Sequence, residues 1–313
     1  MNDNNEDKDL LNELSNNEEG DITYFERFEI PREINPYDIK HANNRFVIGD
    51  IHGNAKALKQ VLNQFLHMVE PYDEIIFLGD YVDRYPETKK VLDIIKTLIE
   101  LGMIRKFRVI LLRGNHDQWF IDYAKSLKNP SERFRFYTKW QENGGKETLD
   151  SFEGDDCDVI DYAKWLEEKT MLFYTAKGTS VFADHNYHSL YVHGGFTNIR
   201  GHKKEENKTN FMWDRSLWKL ANLCAKFRIN ADFKLPIKLC NYGSIVIGHS
   251  ATLYYGVDHP IMRCNVLNMD SGAGFSEGRL SCIELSTFKL FQSDKSKDLY
   301  PAHNPKCVTF PKS

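Results

Sequence analysis

The sequence predicts a single large α/β domain, and three observations lead to that prediction. The chain has 313 residues, 41% of them hydrophobic and 27% charged, which is enough to bury a sizeable core. Its first half alternates short apolar runs with amphipathic stretches at helical spacing. Its second half returns to short apolar runs, and no internal repeat divides the chain. This pattern favours one domain over two independent ones.

The first half has the pattern β-α-β-α-β. Residues 45–49 form the first apolar run, residues 74–78 the second and residues 107–112 the third. Between these runs, residues 54–67 and 87–101 carry apolar side chains at helical spacing. Apolar runs without alternation, separated by amphipathic helices, are typical of parallel strands buried on both faces. The three runs are therefore predicted to form a parallel sheet.

The second half is predicted to be helical first and then rich in strands. Residues 118–177 are expected to be mostly helical, with their many Trp, Phe and Tyr side chains mainly in the core. Strand character then returns in five runs, at 180–183, 190–192, 244–247, 265–269 and 279–285. These runs complete the predicted α/β domain.

The charge distribution predicts a separate acidic segment at the start of the chain. Residues 1–21 carry a net charge of −7, whereas the whole chain carries −4, so the remaining residues are slightly basic at +3. We expect a mobile tail over residues 1–22, one folded domain over residues 23–295 and an extension over residues 296–313. A body without a concentrated basic face gives no reason to expect a nucleic-acid partner.

Composition points to a reducing compartment away from membranes. No run approaches the ~18 consecutive apolar residues that a membrane helix needs, and the start of the chain is acidic rather than basic and then apolar. The six cysteines include no CxxC pair and are expected to be reduced. We therefore expect a cytoplasmic protein without a membrane partner, and the sequence leaves its oligomeric state open.

Polar motifs follow the apolar runs at the points where strands are predicted to end. They are Gly-Asp-Ile-His-Gly-Asn at 49–54, Gly-Asp-Tyr-Val-Asp-Arg at 79–84 and Gly-Asn-His-Asp at 114–117. Two later runs end in His-Gly-Gly at 193–195 and Gly-His-Ser at 248–250. Because ligands of open α/β sheets bind outside the carboxyl ends of the strands, these motifs are predicted to face one crevice.

These motifs contain enough metal ligands for two ions. The candidate ligands are Asp50, His52, Asp80, Asn115, His193 and His249. Carboxylate, imidazole and amide groups together suit Mn²⁺, Fe²⁺ or Zn²⁺, whereas Ca²⁺ prefers oxygen alone and structural zinc more often takes thiolates. Asp80 follows the central strand of the first three and is the natural bridge between two ions. The other histidines, at 41, 67, 185, 188, 202, 259 and 303, are expected to be packing or surface groups.

The order and spacing of the motifs resemble the calcineurin-like metallophosphoesterases, and within them the PPP-type serine/threonine phosphoprotein phosphatases of bacteria and phages. The resemblance covers about residues 45–285. Residues 143–149 and the Trp-Asp-Arg at 213–215 also resemble segments of the bacterial and phage branch. The resemblance implies a β-sandwich of two sheets flanked by helices (α/β/β/α), with residues 23–295 as its catalytic domain.

The resemblance also implies how two metal ions divide the ligands. One ion would be bound by Asp50, His52 and Asp80, and the other by Asp80, Asn115, His193 and His249. Manganese is the expected metal, with iron or zinc as alternatives.

The chain departs from the family pattern at three positions. Tyr85 stands where the family usually has glycine, Asp117 replaces the commoner glutamate, and Ser250 replaces threonine. None of these changes removes a metal ligand, so an active enzyme is expected. Tyr85 is expected to alter the loop that carries Arg84, and with it substrate preference.

The predicted chemistry is hydrolysis of a phosphomonoester by a hydroxide that bridges the two ions. Such ions lower the pKa of a bound water toward ~7. Arg84 is predicted to bind phosphate through its planar fork, and Arg215 is a second candidate, with a surface salt bridge as its alternative. His116 is predicted to protonate the leaving group. Asp83 would orient His116, and its alternative is an ion pair with Arg84.

Three functions are compatible with these residues. The first is a phosphatase acting on phosphoserine and phosphothreonine in proteins, and the second is a nucleotide or diadenosine polyphosphate hydrolase. The third is an inactive scaffold, against which the complete ligand set argues. The Asp83-Arg84 pair is typical of protein phosphatases, whereas the tetraphosphatases usually have Ala-Arg. The expected partner is therefore a phosphorylated protein or a small phosphoester.

Overall fold

The computed structural model describes residues 44–127, 131, 137–177, 188–227 and 235–303. The predicted tail over residues 1–22 and the predicted strand at 180–183 lie outside these residues. Within them, the chain forms two five-stranded sheets with helices packed against both.

The elements have the following bounds. The strands are β1 (Arg45–Ile48), β2 (Glu74–Phe77), β3 (Arg108–Leu111), β4 (Phe173–Lys177), β5 (His188–Val192), β6 (Ser244–Ile247), β7 (Ile261–Arg263), β8 (Val266–Asn268), β9 (Ser281–Glu284) and β10 (Lys289–Gln292). The helices are α1 (Ala55–Phe65), α2 (Thr88–Arg105), α3 (Asn115–Ser126), α4 (Lys146–Ser151), α5 (Asp156–Lys169), α6 (Asn210–Trp213), α7 (Ser216–Phe227), α8 (Ile237–Cys240) and α9 (Ser296–Leu299).

The first sheet has the strand order β10-β9-β1-β2-β3. β1, β2 and β3 run parallel, with Phe46 opposite Ile75 and Ile75 opposite Val109, and β9 and β10 extend the sheet in antiparallel fashion. Every residue of β1 and β2 is buried. Burial on both faces explains why these strands appear in the sequence as apolar runs without alternation. The predicted β-α-β-α-β arrangement is present.

The second sheet has the order β4-β5-β6-β8-β7, in which β5, β6 and β8 run parallel and the two edge strands are antiparallel. The sequence analysis does not predict β4, β7 or β10. All three lie at sheet edges, and most of their residues are half-buried or exposed. Edge strands of this kind lack the continuous apolar run by which the central strands are recognised.

An apolar layer holds the two sheets face to face. It includes Val47 and Ile76 from the first sheet and Tyr191, Val246 and Leu267 from the second. Helices α1, α2, α3 and α5 cover the other face of the first sheet, and α7 covers the other face of the second. The α/β/β/α sandwich implied by the motifs is therefore confirmed. Among the described residues, no helix is both long and apolar enough to cross a bilayer.

The end of β2 provides a test of how tightly the loops pack. Gly79 has φ +106°, and an added Cβ would lie 2.5 Å from the Gly114 nitrogen. Gly79→Ala is expected to lower the free energy of unfolding by about 2–5 kcal/mol, because backbone strain of ~1–2 kcal/mol adds to overpacking of ~1–3 kcal/mol. Urea unfolding measures the change.

The matched control is Gly154→Ala. Gly154 also has a left-handed φ, +78°, but no atom lies within 4 Å of its added Cβ. Only the strain of about 1–2 kcal/mol is expected there. Equal losses in the two variants would contradict the role assigned to close packing at Gly79.

Candidate metal centre

Five loops converge where the carboxyl ends of strands from both sheets meet. The loops after β1, β2 and β3 belong to the first sheet, and those after β5 and β6 to the second. His249 N–H donates to Asp50 Oδ2 at 3.0 Å, and His193 Nδ1–H donates to the Leu78 carbonyl at 2.9 Å, so the two sheets are joined directly. The predicted crevice is thus built by both sheets rather than by one.

All six predicted ligands lie in this crevice and are buried. Their exposed fractions are 2% for Asp50, 2% for His52, 2% for Asp80, 3% for Asn115, 0% for His193 and 6% for His249.

The carboxylate of Asp80 lies between imidazoles from the two sheets. His52 Nε2 is 3.5 Å from Asp80 Oδ2, and His193 Nε2 is 3.4 Å from Asp80 Oδ1. The other nitrogen of each ring faces a backbone carbonyl, Val82 O for His52 and Leu78 O for His193. Since a carbonyl can only accept, Nδ1 carries the proton and Nε2 turns its lone pair toward the carboxylate. In His193 the same nitrogen also faces Asn115 Oδ1, at 3.1 Å. Metal-binding histidines are oriented in this way.

Two atoms of the site lack any partner in the part of the chain that the structure describes. They are Asp50 Oδ1 and His249 Nε2, and both are buried. Unpaired buried polar atoms are costly, and a native structure normally satisfies them. A Cβ on Gly248 would lie 2.2 Å from Asp50 Oδ1, so the glycine leaves room for the carboxylate. These two atoms supply the kind of donor that a divalent cation takes.

The ligand atoms form two overlapping groups. One group is His52, Asp80 and His116, the other is Asp80, His193 and His249, and within each group the atoms lie within 4.8 Å of one another. Asp80 belongs to both, as a bridging ligand must. The first group includes His116, the predicted acid. Asp50, which is predicted to share an ion with His52 and Asp80, belongs to neither group, and its carboxylate accepts from the His249 amide.

Burial and like charge make the centre attractive to cations. The pKa of Asp50 is raised well above its ordinary value by burial, and further by the neighbouring carboxylates of Asp270 and Asp80. Burial also raises the pKa of Asp270 to about 6. Burial lowers the pKa of His52 and His249, which favours the neutral imidazole that binds metals. A divalent cation would relieve the repulsion among the carboxylates, and the donor set fits two such ions.

The loops hold several site residues in the left-handed region of backbone conformation. Five of the ten non-glycine residues with positive φ among the described residues belong to the site: His52, Asp80, Asp83, Arg84 and His249. Each such residue costs about 1–3 kcal/mol and persists only where its surroundings fix it. Here the surroundings include the Asp80 carbonyl, which accepts from the His52 amide at 2.8 Å. These left-handed backbone conformations point the side chains of the loops into the site, and the backbone strain follows from that.

Asp83 holds His116 in one orientation. His116 Nδ1–H donates to Asp83 Oδ2 at 2.7 Å, and Asp83 is fully buried. The same carboxylate accepts from Trp140 Nε1 at 2.9 Å and from the Thr148 hydroxyl at 2.7 Å. Both oxygens of Asp83 therefore have partners other than Arg84. No local pattern in the sequence marks Trp140 or Thr148 as partners of Asp83, although Thr148 lies in the segment 143–149 that resembles the bacterial and phage branch.

The two predicted phosphate-binding arginines lie beside the metal ligands. Arg84 Nη2 is 3.4 Å from His116 Nε2, and its guanidinium stacks 4.5 Å above the centre of the Phe275 ring. Arg215 is exposed, and its Nη2 donates to the His249 carbonyl at 3.4 Å. Both guanidinium groups therefore lie against residues of the site, Arg84 against His116 and Arg215 against His249.

Two half-buried tryptophans border the site on the side of His116. Trp119 meets the His116 ring edge-to-face at 5.1 Å, and Trp213 meets Trp119 at 4.9 Å and the His249 ring at 6.1 Å. Trp119 packs against the core, as the sequence predicts for the aromatic residues of 118–177, and it also borders the site. An isolated tryptophan in a helical pattern gives no signal for this placement.

Comparison with known families and proteins identifies a family for this chain and several partly similar proteins. A sequence model of the calcineurin-like phosphoesterases matches residues 45–251, more than half of the chain. A Caenorhabditis elegans protein named as a serine/threonine-protein phosphatase is 41% identical over 73 residues, which are 23% of this chain and 18% of that protein. The symmetrical bis(5'-nucleosyl)-tetraphosphatase of Coxiella burnetii is 29% identical over 84 residues, 27% of this chain and 26% of that enzyme.

The matched segments span about a fifth to a quarter of the curated relatives' own length. Among solved structures, a cold-active protein-tyrosine phosphatase of a psychrophilic Shewanella species aligns over 80% of this chain and 77% of its own, with 16% identity and a TM-score of 0.48.

Asp50 provides a test of the site that does not require activity. Because folding raises its pKa, burial of its charge opposes folding, and Asp50→Asn is expected to raise the melting temperature of the metal-free protein. In saturating Mn²⁺ the wild type is expected to have the higher melting temperature, since the variant lacks a charged ligand. Thermal melts with EDTA and with Mn²⁺ at pH 7.5 measure both effects.

The control is Asp161→Asn, which changes an exposed acid on α5. Its melting temperature is expected to follow the wild type under both conditions. If Asp50→Asn gained as much from Mn²⁺ as the wild type, Asp50 would not be a ligand.

Proposed function

Because the chain belongs to the calcineurin-like phosphoesterase family, we propose that it hydrolyses phosphoserine and phosphothreonine in proteins with the help of two divalent metal ions. Its membership makes it a hydrolytic enzyme of the phosphoesterase type. The observation that carries the two-metal part of the proposal is the arrangement around Asp80, where imidazoles from both sheets turn their lone pairs toward one carboxylate.

The proposed ligands are the six predicted from the sequence. Asp50, His52 and Asp80 would bind one ion, and Asp80, Asn115, His193 and His249 the other. The bound ions would supply Lewis acidity, which lowers the pKa of water toward ~7 and neutralises charge on the phosphoryl oxygens. Manganese is proposed because the mixed oxygen and nitrogen donors suit it, and iron and zinc are the alternatives.

His116 is proposed to protonate the leaving group. Its Nδ1–H is held by Asp83, so Nε2 points toward the site, where it lies 3.4 Å from Arg84 Nη2. A proton on Nε2 would pass to the serine or threonine oxygen as the bond from phosphorus to that oxygen breaks. The Asp83 carboxylate stabilises the imidazolium before the transfer, and its bonds to Trp140 and Thr148 keep it in place.

Arg84 and Arg215 are proposed to bind the phosphoryl oxygens. A guanidinium presents two parallel N–H groups, which match two phosphate oxygens and stabilise the charge that develops during transfer. Phe275 supports the Arg84 guanidinium from one side, which limits the directions it can adopt. Arg215, being exposed, would approach from the rim.

The protein substrate is supported by the Asp83-Arg84 pair and by the similarity to the C. elegans phosphatase. A second candidate is hydrolysis of nucleotides or diadenosine polyphosphates, which the similarity to the C. burnetii enzyme and the half-buried Trp119 and Trp213 favour. Aromatic rings beside the site offer stacking surfaces for a base. We place the enzyme in the cytoplasm and propose neither a nucleic-acid nor a membrane partner.

His116→Asn tests the acid. The variant is expected to lose about 10²–10⁴-fold in kcat on a phosphoserine peptide, because an alkoxide leaving group needs the proton. The loss on para-nitrophenyl phosphate should be smaller, since nitrophenolate leaves readily without one. Steady-state kinetics with Mn²⁺ and metal analysis by mass spectrometry measure the effect.

His67→Asn, at an exposed histidine, is the control and should behave as the wild type. Both metals should remain in His116→Asn. A variant that came out without metal would show that His116 is a ligand, in agreement with its place in the first group of ligand atoms, and the acid assignment would be lost.

Side-by-side assays separate the two candidate substrates. With the same enzyme and Mn²⁺, kcat/KM is expected to be at least about tenfold higher on phosphoserine and phosphothreonine peptides than on diadenosine tetraphosphate, a preference of about 1.4 kcal/mol or more. The reverse order would favour the second candidate. Trp119→Ala then provides a check, because it should raise the KM of a substrate whose base stacks on that ring more than the KM of a phosphopeptide.

A further inference from the structure

We propose that His303 is a positioning residue that fixes the backbone of Arg84, acting from a strap formed by residues 296–303. The inference rests on the proposed function, because it takes Arg84 as the phosphate-binding group. His303 is predicted from the sequence to be a packing or surface group, and the strap follows the last strand, β10, far along the chain from Arg84.

The contact that carries the proposal is a hydrogen bond between a side chain and a strained backbone. His303 Nε2 lies 2.7 Å from the Arg84 carbonyl oxygen, and because the carbonyl can only accept, Nε2–H is the donor. Arg84 and its neighbour Asp83 are consecutive non-glycine residues with left-handed φ, +69° and +74°. The Arg84 amide donates to the Gly144 carbonyl at 3.1 Å. Both polar backbone groups of Arg84 are thus held by distant segments.

Tyr85 explains why the strap docks at this loop. Its ring is fully buried, 4.9 Å from the ring of Tyr300 and 5.2 Å from that of His303. A glycine, which is usual at this position in the family, would offer no ring to pack against. The departure at position 85 therefore creates the surface on which the strap lies, and the loop keeps its place because the strap covers it.

Further contacts hold the strap against the segments that surround Arg84. The Ser296 hydroxyl donates to the Ala273 carbonyl at 2.8 Å and accepts from Asn54 Nδ2 at 2.9 Å. Ala273 precedes Gly274, whose position for a Cβ is 2.7 Å from Arg84 Nη1. The strap thus contacts both parts of Arg84. Ser296 binds the Ala273–Gly274 segment that lies next to the guanidinium, and His303 binds the Arg84 carbonyl.

A second set of contacts fixes the aromatic end of the strap. The Tyr300 hydroxyl donates to a Glu87 carboxylate oxygen and accepts from the Lys56 amide at 3.2 Å. The His303 amide donates to the Tyr300 carbonyl at 3.0 Å, which continues the turn. Since Tyr300 is anchored on α1 and on the start of α2, His303 is held at a defined height above the loop.

The proposal predicts a specific defect in phosphate binding. His303→Ala removes the Nε2–H that binds the Arg84 carbonyl, so the Arg84 backbone can relax from its left-handed conformation. The guanidinium is then no longer held in the position that binds phosphate. We expect the inhibition constant of inorganic phosphate and the KM for para-nitrophenyl phosphate to rise about tenfold, with metal content unchanged. His303→Gln should restore most of the binding, because its amide can donate to the same carbonyl. His67→Ala serves as the control.

A double-mutant cycle separates positioning from a general loss of stability. Arg84→Ala keeps the backbone carbonyl but removes the guanidinium, so adding His303→Ala to it should not weaken phosphate binding further. Unchanged binding in His303→Ala, failure of His303→Gln to restore binding, or an additive loss in the double variant would each overturn the proposal.

The outcome is distinguishable from failure of the proposed function. If the wild type with Mn²⁺ hydrolyses no phosphoester, the proposed function fails. If the wild type is active and the His303 variants match it, only the positioning role fails. If His303→Ala melts far below the wild type, phosphate binding is compared between His303→Gln and His303→Asn instead. Both keep a polar amide, but the shorter Asn side chain does not extend as far toward the Arg84 carbonyl.

Discussion

The buried carboxylate of Asp80 is the group on which the rest of the site depends. Its oxygens face imidazoles from both sheets, its Oδ1 accepts from the His116 amide at 3.0 Å, and its backbone amide donates to Asp117. A carboxylate buried among other acids is unfavourable unless cations or hydrogen bonds balance it. The loops therefore have to bring donors to it, and their left-handed backbone conformations follow from that requirement.

The buried core of the sandwich offsets the free-energy cost of the strained and charged site. Strained backbone, repelling carboxylates and unpaired donors are concentrated in five loops, whereas the strands beneath them are almost wholly buried and apolar. Rigid strands below and constrained loops above are a common division in enzymes, because preorganised groups need a scaffold that does not yield. Helices also hold the loops in place. Asp83 is bound by Trp140 and Thr148, which lie on a separate helical segment that packs against its loop.

Much of this arrangement could be predicted from the sequence because central strands and candidate metal ligands leave local signals. A buried strand shows as an apolar run, and Asp50, Asp80 and Asn115 lie two to four residues after the strands β1, β2 and β3. The edge strands β4, β7 and β10 leave no such run, since they are partly exposed. The partners of Asp83 and the contact between His303 and Arg84 depend on packing between segments far apart in sequence, which no local pattern records.

Because loops of both sheets build the site, the site can form only after the two sheets have come together. Asp50 and His249 are 199 residues apart and meet only when the two sheets have closed on each other. Neither half of the chain alone can assemble the full set of donors, so a nascent or partly folded chain offers metal ions no complete trap. Contacts of such long range form late in folding because their loop-closure entropy must be overcome first. Binding of metal would therefore require that the two sheets of the sandwich have already closed on each other, and a shortage of metal would act on the folded protein rather than on its folding.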